Sequence, residues 1–164
     1  MENIRKQIAV YIEEHCNVMM DFWRQLVQIE SGSANKAGVD AVARRVQEEL
    51  DTIGAHTEIH EMKRAGNMLV SVLNEDVPEA PVLLLGHMDT VFPDGTVADR
   101  PFTLRDGKAY GPGVLDMKGG VTIAVFAMKA LKEAGWTKRP VRLVLVGDEE
   151  VGHRNSDANQ QIME

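Results

Sequence analysis

Cysteine is nearly absent: Cys16 is the single one among 164 residues. No internal disulfide can form, so packing must hold the fold, and the helical pattern around Cys16 predicts a buried or half-buried thiol. Long apolar runs are also missing. Val82 to Leu85 and Ile123 to Met128 fall far short of the roughly 20 residues that a membrane-spanning helix needs. There is no basic block: 18 Lys and Arg face 25 Asp and Glu, a formal charge of −7 spread along the chain, which argues against nucleic acid as a partner. The stretch from Met1 to Lys6 lacks the apolar core and small-residue cleavage site of a secretory signal, and is read as belonging to a cytoplasmic protein. Repeats and low-complexity segments are absent, and Pro78-Glu79-Ala80-Pro81 is too brief for a domain linker. What remains is an ordinary globular composition, 44% hydrophobic and 26% charged, enough for one domain with a core.

Apolar residues at helical spacing run from Ile4 through Ile8, Tyr11 and Ile12, then Met19, Phe22, Trp23, Leu26 and Val27, with a break near Asn17. A second helical stripe, Val39, Val42, Val46, Leu50 and Ile53, closes at Gly54. Short extended segments follow at 56–60, 68–73 and 82–85. The last has no polar residue on either face, which predicts a central strand buried on both sides. Asp106-Gly107 marks a hairpin turn. Gly119-Gly120 opens an apolar helix that stops at Gly135, and Val141 to Val146 reads as another strand. This order predicts an α/β fold, a three-layer sandwich around a mixed, mostly parallel sheet. The nine methionines are read as core filling at helix positions.

Two apolar strands run directly into clusters of possible ligands, Val82 to Gly86 into His87-Met88-Asp89 and Val141 to Gly147 into Asp148-Glu149-Glu150. Ligands bind at the carboxyl ends of strands in open α/β sheets. His87 and Asp89 are two apart, so extended backbone projects both to one side, an arrangement in which a carboxylate steers a metal-binding imidazole. Between the clusters, Gly111 to Gly120 holds Asp116 in a glycine-rich loop. It is not a phosphate loop, because Lys118 is followed by Gly119 rather than Ser or Thr. One imidazole with several carboxylates suits Zn²⁺ or a similar ion, and of two adjacent glutamates one can bind metal while the other takes a proton from water. Carboxylates crowded at such a site raise at least one pKa in the absence of metal. For any single acid, helix capping or solvation would be the plainer explanation.

At Gly86-His87-Met88-Asp89-Thr90-Val91, Ala109-Tyr110-Gly111-Pro112-Gly113, Asp116-Met117-Lys118-Gly119-Gly120 and Asp148-Glu149-Glu150-Val151-Gly152 the sequence resembles zinc-dependent exopeptidases and deacylases. The type is that of carboxypeptidase G, acetylornithine deacetylase and succinyl-diaminopimelate desuccinylase, and the stretch Ala109 to Gly113 is most similar to the glutamate carboxypeptidase branch. The resemblance implies that His87, Asp116 and Glu150 bind metal, with Asp116 bridging two ions, Glu149 as general base and Asp89 orienting His87. It implies two zinc ions, with Co or Mn as alternatives, and a cis peptide bond after Asp116. It further implies hydrolysis of a terminal amide beside a free carboxylate in a small-molecule or peptide substrate, and a homodimeric parent.

Residues 1–164 are accordingly expected to form the N-terminal portion of such a catalytic domain. The family's dimerisation domain, further acidic ligand and final histidine ligand have no counterpart here, and the residues before Glu164 read as the first turns of a helix. A second hypothesis is a non-catalytic module that keeps the scaffold for self-association or partner binding. His15, His56 and His60 are read as surface or packing residues, and His153 as a solvent-facing loop residue. Lys118 either holds a carboxylate ligand or is solvated.

Overall fold

The computed structural model describes residues 2–156; the helix expected before Glu164 lies outside them. Two helices, α1 (Glu2–Glu14) and α2 (Cys16–Gln28), meet at His15, whose Nδ1 lies 2.8 Å from the Tyr11 carbonyl. Cys16 opens α2 and is exposed, not buried, because the apolar stripe of that helix falls on Phe22, Leu26 and Val27. Helix α3 (Lys36–Asp51) is capped by Asn35, whose side chain accepts from the Gly38 N–H. Strands β1 (His56–His60), β2 (Gly66–Leu73) and β3 (Val82–His87) follow, then the short helix α4 (Thr96–Asp99). A small hairpin pairs β4 (Thr103–Arg105) with β5 (Lys108–Tyr110). Helix α5 (Lys118–Glu133), strand β6 (Val141–Gly147) and a 3₁₀ turn over Glu149–Val151 complete the order.

The fold is α/β, with a mixed sheet of strand order β1-β2-β6-β3 and flanking helices. Among the described strands only β3 and β6 pair in parallel; β1 with β2 and β2 with β6 are antiparallel, so the sheet they form is mixed but not mostly parallel. Chain length explains this, because the few residues between β1 and β2 allow only a hairpin. The long passage from β3 through α5 to β6 is what a parallel crossover needs. Val121, Val125 and Phe126 of α5 and Val42, Val46 and Leu50 of α3 pack with Leu69, Leu73, Leu143 and Leu145 on one face, joined by Phe22 and Leu26 of α2. Of the three expected layers, the described residues form the sheet and this helical layer.

Strand β3 is not central. It lies at the edge of the sheet, with Leu83 and Leu85 exposed at 47% and 57%. An apolar run reads the same whether one face or two are covered, and the interior position goes to β6, which is buried nearly throughout. Methionine likewise fills the core, but Met62, Met68 and Met88 do so from strands and loops, with only Met128 on a helix among the fully buried ones.

Candidate metal centre

Parallel register sets the site. His87 pairs with Val146, so β3 and β6 end side by side and release His87-Met88-Asp89 and Asp148-Glu149-Glu150 at one edge. At Gly147 an added Cβ would stand 2.6 Å from the Gly66 carbonyl oxygen, so the close approach of β2 to the end of β6 requires glycine. Asp116 arrives on the loop before α5, and its peptide bond to Met117 is cis, as expected. Gly113 in that loop has φ +68 and faces the Thr90 methyl at 2.6 Å from where a Cβ would lie, which leaves room for no side chain.

His87 is 5% exposed. Its Nδ1 lies 3.1 Å from the Asp89 carbonyl and 3.3 Å from Asp89 Oδ1, while Nε2 lies 3.0 Å from Asp116 Oδ1 and 3.9 Å from Glu149 Oε2. Asp89 is fully buried. Its carboxylate accepts the Ser33 hydroxyl at 2.6 Å and the backbone N–H groups of Glu149 and Glu150 at 3.1 and 3.2 Å. One side chain thus fixes the imidazole and the start of the 3₁₀ turn together. His87, Asp116 and Glu150 each offer a ligand atom, and these atoms lie within 4.8 Å of one another. Glu149 stands beside them.

The electrostatics favour positive charge at this point. Burial opposes an imidazolium, but hydrogen bonds to Asp89 and Asp116 outweigh it and push the His87 pKa up to about 9. Burial also opposes the Asp89 carboxylate, yet hydrogen bonds with His87, Ser33 and the Glu150 N–H hold it below its ordinary value. Glu150 is raised, first by burial and then by Asp116, Asp89 and Glu149, with His87 acting the other way. A nitrogen donor and two carboxylates in a place that favours positive charge fit a divalent ion of borderline hardness.

Several supporting residues escaped the sequence reading. Ser33 lies between α2 and α3, with no local sign in the sequence of a partner 56 residues away. Lys118 neither holds a carboxylate nor faces solvent: it is 1% exposed and its Nζ donates to the Ile29 carbonyl at 2.6 Å, tying the Asp116 loop to the end of α2. Burial lowers its pKa to about 8. Asp148 is buried and accepts from Ser156 Oγ at 2.8 Å and the Asn155 N–H at 3.2 Å, with His153 Nδ1 at 3.3 Å. His153 is therefore half-buried beside Asp148 and outside the ligand group.

Comparisons with known proteins follow the same residues. Residues 83–163, which carry all three ligand-bearing segments, match the model of peptidase family M20/M25/M40. Carboxypeptidase G2 from Pseudomonas sp. (strain RS-16) is 34% identical over 116 residues, 68% of this chain and 27% of that protein. Acetylornithine deacetylase from Proteus mirabilis (strain HI4320) is 31% identical over 153 residues, 87% of this chain and 39% of that protein. The chain thus spans roughly a quarter to two fifths of the length of these relatives. Human carnosine dipeptidase 1 superposes with a TM-score of 0.80 at 23% identity, covering 92% of this chain and 36% of that one. The di-peptidase Dug1p from Saccharomyces cerevisiae gives 0.81 at 18%, covering 99% and 38%. These two likenesses speak for the fold. Motif order, relatives and fold agree, and residues 83–163 carry the signature of peptidase family M20/M25/M40.

Proposed function

We propose that this chain supplies part of the metal centre of a hydrolase that cleaves a terminal amide next to a free carboxylate, in the manner of a glutamate carboxypeptidase. The reading is carried by the convergence of His87, Asp116 and Glu150 within 4.8 Å, with Glu149 alongside. Its substrate class takes support from the similarity to a protein named carboxypeptidase G2. His87, Asp116 and Glu150 would hold zinc, and Asp116 would be shared with a second ion, as the resemblance implies. When bound, zinc supplies a Lewis acid that polarises the amide carbonyl and acidifies water.

The chain's own groups do the rest. Asp89 accepts the Nδ1 proton of His87 and so directs the Nε2 lone pair towards Asp116. Glu149, half-exposed at the mouth of the site, takes a proton from the attacking water and returns it to the departing amine. A groove of about 500 Å³ beside Glu150, lined by Ser33, Asn35, Thr90, Phe92 and Asp94, gives a substrate space to lie against the centre. A cytoplasmic location and a homodimeric full-length parent belong to the same proposal.

Zinc titration of the chain and hydrolysis of acyl-glutamate substrates by the full-length protein test it. We expect weak zinc binding by this chain, lost in H87A. In the full-length protein, E149Q should retain zinc and lose on the order of 10²–10⁴-fold in rate. A full-length protein that binds no metal and cleaves neither N-acyl amino acids nor dipeptides would overturn the reading.

A further inference from the structure

The groove beside Glu150 is walled by two stretches of chain that are fastened to each other. The Ser31 carbonyl accepts the Thr90 N–H at 2.8 Å, and the Thr90 carbonyl accepts the Ser33 N–H at 3.1 Å. Between them, a Cβ added at Gly32 would stand 2.5 Å from the Phe92 carbonyl oxygen, so the stretches lie this close only with glycine there. Glu30 Oε1 accepts the N–H groups of Gly95 and Val97 at 2.6 and 3.0 Å. Asn35 adds the last tie. Its Oδ1 caps α3 through the Gly38 N–H, and its Nδ2 donates to Asp94 Oδ1 at 2.8 Å. A helix end thus holds the Asp94 carboxylate, whose other oxygen has no partner among the described residues.

We propose that Asp94 determines specificity by receiving an ammonium group on the acyl part of the substrate, an inference that rests on the hydrolytic reading of the centre. Charge decides which part of a substrate lies here. Asp94 and Glu150 both line the groove, and among the described residues no Lys, Arg or His does. Arg100 lies over the Phe92 ring at 4.9 Å but is not part of the wall. The free carboxylate of the leaving part would meet only like charge in this groove, so the acyl part is the one that fits. Glu150 belongs to the ligand group, which leaves Asp94 to meet a cation. Held by Asn35, its open oxygen can accept a charge-assisted hydrogen bond at little further cost in ordering.

The remaining wall suits the same class of group. Val91, Phe92, Pro93 and Val151 give the groove apolar surface for a short carbon chain, and its volume of about 500 Å³ takes several heavy atoms. The compounds favoured by this chain would then carry an ammonium group on one side of the scissile amide and a carboxylate on the other, as a dipeptide does. Acyl groups that end in a carboxylate would be disfavoured.

The test compares kcat/KM of the full-length protein on N-acyl glutamates of matched shape. Alanyl-glutamate is paired with isobutanoyl-glutamate, and γ-aminobutanoyl-glutamate with pentanoyl-glutamate, so that each pair differs by an ammonium in place of a methyl group. We expect the ammonium-bearing member to be preferred on the order of tenfold in at least one pair, and the pair that responds tells whether the ammonium stands beside the amide or at the chain end. D94N keeps an oxygen for Asn35 and removes only the charge, so it should abolish most of that preference; D94K should turn it towards succinyl-glutamate. Both members of a pair use one centre, so a general loss of activity leaves their ratio untouched. Absence of a preference in both pairs, or a preference that survives in D94N, would overturn this inference and leave the hydrolytic reading standing. Cleavage of none of these compounds would remove both.

Discussion

Asp89 shows how much one buried carboxylate can organise. It receives the Ser33 hydroxyl, two backbone N–H groups and the His87 imidazole, so a loss at any of these is felt at the others. Hydrogen bonds to a charged acceptor contribute about 1.5–3 kcal/mol. Since Ser33 is only half-buried, S33A should lower unfolding stability near the bottom of that range, with reduced zinc affinity, measurable by urea denaturation and calorimetric titration. Equal stability and equal zinc affinity in S33A would remove Ser33 from the network. The Asp89–His87 relation is legible in the sequence, because two-residue spacing in extended backbone puts both side chains on one side. Ser33 and Lys118 were not legible, since each finds its partner far along the chain, Asp89 for one and the Ile29 carbonyl for the other. No periodicity or local motif encodes that meeting.

Among the elements, the pairing of β3 with β6 decides where the chemistry collects, and the packing of α3 against α5 supports it. Glu49 of α3 joins Lys129 of α5 and, at 2.7 Å, Arg45 on its own helix. Burial disfavours its charge, but the hydrogen bonds from Lys129 and Arg45 prevail and hold its pKa below the ordinary 4.5. A carboxyl whose folded pKa is depressed stabilises the fold above the unfolded value and loses that contribution as pH falls through the folded one. The difference in unfolding free energy between wild type and E49Q should therefore be about 1–3 kcal/mol near neutral pH and shrink below pH 4.5. Urea midpoints recorded from neutral to acidic pH would show this, and a difference that stays constant would contradict it. At this scale the sequence reading located nearly every helix and strand, because each carries its own 3.6- or 2-residue period. It placed β3 wrongly within the sheet, since strand order depends on which distant strand arrives beside it, and β6 does so only after the long excursion through α5.

For the whole molecule, the candidate ligands come from three separate stretches of chain, at positions 87, 116 and 150. An unfolded chain would have to close loops of 29 and 34 residues before it could present them together, at an entropic cost that the folded chain has already met. A divalent ion should therefore bind the native state almost exclusively. At a free concentration 100 times its dissociation constant, zinc should add about 2.7 kcal/mol to stability, seen as a melting temperature that climbs with the logarithm of zinc. In H87A that climb should flatten, and an undiminished rise would mean that the ion sits elsewhere. A chain with one cysteine has no covalent bridge of its own. Here the ion would take the part of a removable cross-link, so that the supply of metal in the surroundings sets how long the protein lasts as well as what it can do.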